Sequence, residues 1–349
     1  MNVAILHPSF KVYGGAELAI VKLARNLIRE GDNVSIYTLG MSSEVRKELE
    51  GVDIKCFKSI KALKDTLHHS LNSIDIMNSH NHPMELMLYP AKIPHVWSHN
   101  EPPDLVLRGR RHSLMELAII SNSVDKIVVF SEYNRERARE LYGVEDIRVV
   151  PFGVDTEYYD RRKANISRAE EELGINEDDF VVVHPGWMSY FKNQFDSLLA
   201  YVELKDKIPN LKLVYFGVDS TEYGRLIKRA VKAHKLTNVI VAGFIPNSLK
   251  RDLYARCNLA LFPYREQGGF ISIFEALSME CPVAVSSKAP CQEYLKGLCY
   301  IMESSKEAIL KAYNGEITPN RRAREYIQRN LTWEKYASSM RRVYNDTLY

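Results

Sequence analysis

The stretch HPGWMSYFKNQF, residues 184–195, follows the apolar run VVV with a glycine, Gly186, and then a lysine, Lys192. A lysine close to the start of a helix neutralises a phosphate as a point charge, and backbone N–H groups beside a glycine can approach the same anion. The ordinary reading of a lone lysine is a solvated surface residue. A second stretch, EQGGFISIFEALSMECPVAVS, residues 266–286, runs from a charged glycine loop into a helical pattern. Ser272 and Glu275 fit a capping box, with the serine accepting from the Glu275 backbone and the glutamate reaching back. Such a cap residue is worth about 0.5–2 kcal/mol. It leaves Gly268, Gly269 and the upstream Glu266 unexplained. A ligand accounts for all three: diphosphate oxygens take backbone N–H groups, and carboxylates accept sugar hydroxyls.

Two more candidates lie in the first half. In HPSFKVYGGAELAI, residues 7–20, Gly14 and Gly15 lead into a helix, where amides and the helix N-terminus favour an anion. An ordinary tight turn explains the pair equally well. The spacing is not GxGxxG, so a nicotinamide site is unsupported. In VWSHNEPPDL, residues 96–105, His99 sits at a strand tip before Pro102 and Pro103. Its imidazole can donate to a substrate oxygen or move a proton near neutral pH; a histidine bonded to backbone is the ordinary alternative. His80 and His82 stand in a similar setting, and none of the three has the HExxH spacing of a metal helix.

These residues need elements to hold them. Short apolar runs predict strands over 3–6, 34–37, 54–57, 74–77, 95–97, 126–130 and 148–150. After a polar, turn-rich junction over 151–180, the rhythm restarts at VVVHPGW. Strands follow over 213–216, 239–242, 259–262, 283–286 and 298–302, with helices over 194–204, 221–234, 248–256 and 272–280. Strand and helix in alternation imply α/β domains with parallel sheets, whose ligands bind at the carboxyl ends of the strands. At 349 residues the chain is long enough for two such domains.

Composition narrows the function. A net charge of +3, from 47 basic and 44 acidic residues, argues against a general nucleic-acid partner and leaves room for a local patch such as RGRRH at 108–112. The five cysteines lack CxxC spacing, so reduced thiols are expected, with neither zinc site nor disulfide framework. No apolar stretch approaches the roughly 20 residues of a membrane span. MNVAILHPSF lacks the basic region of a leader and reads as a first buried strand. A cytoplasmic protein is expected. KSIKALKDTLHHSL, residues 58–71, mixes basic and apolar residues; it could rest on an anionic membrane face, although an ordinary amphipathic surface helix accounts for it.

Taken in order, Gly14-Gly15-Ala16-Glu17, His99, SEYNRERARELYG with VVPFGVD over 131–155, Lys192 and the Glu275 helix resemble a known group. The chain is similar to the family 4 retaining glycosyltransferases of GT-B architecture, two Rossmann-like domains facing a cleft. The resemblance runs from Met1 to the terminal LTWEKYASSMRRVYNDTLY. It implies an acceptor-side domain over 1–155, a nucleotide-sugar domain over 156–330, and a last helix over 331–349 crossing back to the first. It implies that Gly15 lies near the donor diphosphate, that Lys192 contacts that diphosphate, that Glu275 contacts the donor ribose, and that His99 lies near the donor sugar. Gly14, Gly186, Gly268, Gly269 and Phe270 would complete the donor site. The donor is a substrate; no cofactor is expected, nor any bound metal. The acceptor, a glycan or lipid-linked species, comes from the family alone.

Two departures stand out. The first glutamate of the family's Glu-x7-Glu motif falls on Gln267, with Glu266 beside it; either fills the role, and the amide bonds a hydroxyl without stabilising positive charge. Trp187 stands where many members carry an arginine, a contact worth about 1.5–3 kcal/mol, and Arg265 is the candidate substitute. These departures motivate a rival reading, a sugar-nucleotide-binding protein with weakened catalysis. A sugar-nucleotide epimerase on the same fold is another. A nicotinamide oxidoreductase has only the α/β rhythm behind it.

Overall fold

The computed structural model describes residues 1–100, 112–265 and 270–349. Two compact units divide the chain, Met1–Gly153 with Trp333–Tyr349, and Val154–Thr332.

The first unit holds a seven-stranded sheet. Its strands are β1 (Asn2–His7), β2 (Asn33–Thr38), β3 (Asp53–Cys56), β4 (Ile76–His80), β5 (His95–Ser98), β6 (Lys126–Val129) and β7 (Ile147–Val149). They lie in the order β3-β2-β1-β4-β5-β6-β7, and every pair is parallel. The connecting helices are α1 (Gly15–Arg29), α2 (Ser43–Glu48), α3 (Ile60–Ser70), α4 (Leu114–Ser123) and α5 (Glu132–Tyr142). Serine starts several of them: Ser59, Ser113 and Ser131 each accept a backbone N–H in the first turn of α3, α4 and α5. On α3 the apolar Leu63 and Leu67 are buried in the core, as in an ordinary amphipathic helix.

The second unit repeats the plan with six strands. They are β8 (Phe180–Pro185), β9 (Leu211–Phe216), β10 (Val239–Val241), β11 (Leu259–Phe262), β12 (Val283–Ser286) and β13 (Tyr300–Met302), ordered β10-β9-β8-β11-β12-β13. All pairs are again parallel. Helices α6 (Ile166–Leu173), α7 (Gln194–Leu204), α8 (Glu222–Ala233), α9 (Asn247–Arg256), α10 (Ile271–Ser278), α11 (Ser305–Tyr313) and α12 (Arg321–Asn330) complete it. Strands covered on both faces read as unbroken apolar runs; Val181, Val182 and Val183 of β8 and Leu259 to Phe262 of β11 are fully buried.

The last helix, α13 (Trp333–Leu348), belongs to the first unit and packs on α1. Its Tyr344 hydroxyl donates to Asn78 Oδ1 of β4 at 2.7 Å.

One strand moved most from its expected place. Apolar patterning put β4 over 74–77, but it runs to His80 because Asn78, Ser79 and His80 are buried and satisfied inside the core. Asn78 bonds Ser98, Ser79 bonds the His95 ring, and His80 meets Asn100. Polar residues with buried partners behave as strand residues, which composition alone does not show.

Candidate active site

In both units the strand order reverses between two neighbouring strands, β1 and β4 in the first and β8 and β11 in the second. That reversal opens the crevice where doubly wound sheets bind ligands.

At the second crevice β8 ends at Pro185 and is followed by Gly186, whose φ of +122° favours glycine. The same crossing requires Gly217 after β9: a Cβ there would sit 2.4 Å from the Gly186 carbonyl oxygen, and its φ is +129°. The loop after β8 is stitched to the loop after β11. Arg265 N–H donates to the Phe191 carbonyl at 2.8 Å, the Asn193 amide to the Pro263 carbonyl at 3.2 Å, and the Tyr264 hydroxyl to the Pro185 carbonyl at 3.2 Å. Lys192 is held in this frame. Its ammonium lies 3.5 Å from the centre of the Tyr264 ring. A Cβ built on Gly186 would be 3.6 Å from the Lys192 side chain. Burial lowers the Lys192 pKa to about 7, so neither charge state dominates near neutral pH. A cation poised this way gains most from an arriving anion.

Arg265 points its guanidinium over the Tyr190 ring, 4.3 Å from the centroid. It helps line a cavity of about 430 Å³ with Asn193, Asp196, Lys288 and Glu303. Trp187 is 60% exposed, so it does not fill the place of an arginine by packing.

The Ser272–Glu275 capping box does not form. Helix α10 starts at Ile271 with Phe270 as its cap residue, so Ser272 lies inside the first turn and neither partner has capping geometry. Glu275 is buried at 2% exposure and instead accepts from Lys250 of α9, at 2.9 Å on Oε1. Its Oε2 is buried with no hydrogen-bond partner among the described residues. Tyr159, Tyr254 and Tyr264 surround this carboxylate; burial raises all three hydroxyls, and the charge of Glu275 raises them further. Tyr264 therefore lies against both Lys192 and the field of Glu275. The sequence reading missed Lys250, Tyr159 and Tyr264. Lys250 is 25 positions from its partner, and no local spacing links them. Phe270 is fully buried, its ring 6.1 Å from that of Phe274. Glu266, Gln267, Gly268 and Gly269 lie outside the described residues.

The first unit's crevice is built differently. Gly14 caps α1 in an extended conformation, and its N–H donates to the Glu17 carboxylate at 2.9 Å. The helix terminus that was expected to receive a ligand's anion, with Gly15 as first helical residue, already carries one from its own first turn. Glu17 Oε1 is 3.4 Å from His7 Nε2, and burial holds the His7 pKa at about 3. His80, at the end of β4, is also held neutral by burial. His99 follows β5 and is 2% exposed. Its backbone N–H donates to the Val128 carbonyl, its ring Nε2 lies 2.8 Å from the Tyr142 hydroxyl, and its ring packs 4.4 Å from Trp97.

Comparison with known proteins places this architecture. Residues 165–330 match the model of the glycosyl transferases group 1, and residues 13–158 match that of glycosyltransferase family 4. A glycosyltransferase crystal structure from Rickettsia africae superposes with a TM-score of 0.82 at 15% identity, covering 99% of this chain and 98% of that one. The HepE protein of Anabaena, crystallised with UDP and glucose, gives 0.81 at 17% identity, covering 98% of each chain. By sequence, the lipopolysaccharide 1,2-N-acetylglucosaminetransferase of Salmonella typhimurium is 23% identical over 253 residues, 67% of this chain and 65% of its own. The processive diacylglycerol alpha-glucosyltransferase of Acholeplasma laidlawii is 20% identical over 192 residues, 54% of each. The chain spans about half to two thirds of the length of these two relatives. With one model matching each Rossmann-like unit, in chain order, the chain belongs to the family 4, group 1 glycosyltransferases of GT-B fold.

Proposed function

We propose that the chain transfers a hexose from a nucleotide diphosphate sugar, with retained anomeric configuration, to a glycan or lipid-linked acceptor. The observation that carries this reading is the Lys192 ammonium, held beside Gly186 at the β8/β11 reversal with its pKa near 7. As the glycosidic bond breaks, negative charge grows on the leaving diphosphate, and a preorganised cation in a partly dehydrated site stabilises that charge more than the ground state. Arrival of the diphosphate raises the lysine's proton affinity, so the ammonium form fills as it is needed. Backbone donors around Gly186, Gly268 and Gly269 would share the diphosphate, with Arg265 as the second cation. Glu275 would take a ribose hydroxyl, although its buried carboxylate now meets Lys250 and the Tyr159 hydroxyl; the side chains covering it must shift for that contact. Glu266 or Gln267 would orient the hexose, and the family resemblance gives His99 a role at the same sugar.

A UDP-hexose is supported by HepE, which is also seen with UDP-glucose. A lipid-linked acceptor is supported by the two relatives named above. No described helix is long and apolar enough to cross a membrane. No cofactor or metal takes part in the transfer as proposed. Thermal-shift screening against UDP- and GDP-sugars, followed by mass-spectrometric acceptor screening with the best donor, tests the reading. A stabilising donor and a product heavier by one hexose support it; absence of any shift with every donor sinks it.

Trp187 favours a second reading, donor binding without transfer, because its exposed indole supplies no charge to the diphosphate. Binding with neither transfer nor donor hydrolysis across the acceptor panel would establish that alternative.

A further inference from the structure

Three ligand-type side chains of the first unit, none of them used in the proposed transfer, converge on one point. His82 follows β4, Glu85 lies in the short 3-10 helix Met84–Leu86, and His112 stands just before α4. Glu85 Oε1 is 2.6 Å from His82 Nδ1 and 2.9 Å from His112 Nε2. The three ligand atoms all lie within 4.8 Å of one another. Glu85 is fully buried, and among the described residues it meets no lysine or arginine. Its second oxygen, Oε2, is buried without a hydrogen-bond partner among those residues. Its charge partners among the described residues are the two imidazoles, and only in their protonated form; a buried carboxylate left without a cation costs several kcal/mol.

We propose that His82 Nδ1, the Glu85 carboxylate and His112 Nε2 bind a divalent metal ion, zinc by preference. Two imidazoles and one carboxylate form a donor set that suits zinc and leave a fourth position for water. The present N···O separations are hydrogen-bond lengths. Around an ion with bonds of about 2.0–2.2 Å the ligands stand further apart, so the two rings withdraw slightly as the ion enters. Each imidazole then offers a lone pair where it now shares a proton with Glu85. A neutral ring moves that proton to its other nitrogen, and a protonated ring releases one to solvent. The pocket wall is aromatic: His112 lies edge-on to Trp97 at 5.9 Å and to Tyr142 at 5.4 Å. Trp97 and Tyr142 also hold His99, so the ion would stiffen the wall behind that histidine.

Tag-free protein, stripped with a chelator, is titrated with zinc and assayed by equilibrium dialysis with elemental mass spectrometry. The matched variant is Glu85→Gln. Its amide oxygen still accepts from both imidazoles, so a merely hydrogen-bonded cluster tolerates it, while the charge that would hold a metal is gone. The expected result is one zinc per chain in the wild type, a higher melting temperature with zinc, and affinity at least tenfold weaker in Glu85→Gln. Cobalt in place of zinc should quench Trp97 fluorescence. Equal zinc affinity in the two proteins, or none in the wild type, overturns the site. Should Glu85→Gln fail to fold, His112→Gln makes the same comparison.

Discussion

The two units carry the same local plan, a strand, a glycine loop and a helix beside the point where strand order reverses, yet their electrostatics are opposite. In the first, Glu17 occupies the Gly14 amide, and His7 and His80 are kept uncharged by burial. In the second, Gly186 leaves room for a lysine whose ammonium rests on an aromatic face. Glycine spacing alone therefore does not identify a phosphate site; the charge carried close behind the glycine decides, Glu17 in the first turn of α1 and Lys192 in the loop before α7. The proposed transfer therefore puts the diphosphate at the second unit.

The largest effect is expected from the ion pair that supports the second crevice. Lys250→Ala leaves Glu275 buried and unpaired, and loss of one partner from such a pair costs about 3–5 kcal/mol. Chemical denaturation should show the loss, and Lys250→Met with Glu275→Leu together should recover most of it. Next comes Lys192→Ala, with turnover of the best donor falling roughly 10²–10³-fold, in line with removal of one preorganised charge-stabilising donor. Steady-state kinetics on the purified variant measures it, and the same loss from Glu17→Ala would erase the contrast between the units. Gly217→Ala should destabilise by at least about 1–3 kcal/mol from backbone strain, with steric overlap against the Gly186 carbonyl added. A melting curve matching the wild type would show that the β8–β9 crossing is looser than described. The smallest effect is Glu17→Ala, about 0.5–2 kcal/mol from the lost cap, with transfer retained.

Much of this was legible in the sequence. The apolar runs at 181–183 and 259–262 mark central parallel strands because both faces are covered, and the helix over 194–204 was delimited at both ends. Gly186 and Lys192 were legible as a pair because the contact is local, six positions along one loop. Glu275 was legible as a residue but not as a partner: its apparent serine cap dissolved once α10 began at Ile271, and its cation came from another helix. His112 was legible only as part of a basic run, since its neighbours His82 and Glu85 lie about 30 residues away in sequence. Short-range patterns fix elements, and the pairing of charges across elements depends on packing that no window of sequence contains.

The protonation of Lys192 also sets a pH dependence. Its ordinary value of 10.5 is lowered to about 7 by burial. Between these values the unfolded chain holds the proton and the folded chain sheds it, so the stability contribution of this group rises with pH across that window and is smallest below pH 7. Anion binding runs the other way, since the diphosphate needs the proton in place.

The most direct measurement is calorimetric affinity for the best nucleotide sugar from pH 6 to 9, in wild type and in Lys192→Arg. Wild-type affinity should weaken above pH 7, approaching about tenfold per unit for one linked proton, while the permanently charged arginine variant stays flat. A wild-type affinity independent of pH, and equally strong in Lys192→Ala, would contradict the assignment of the diphosphate to this lysine.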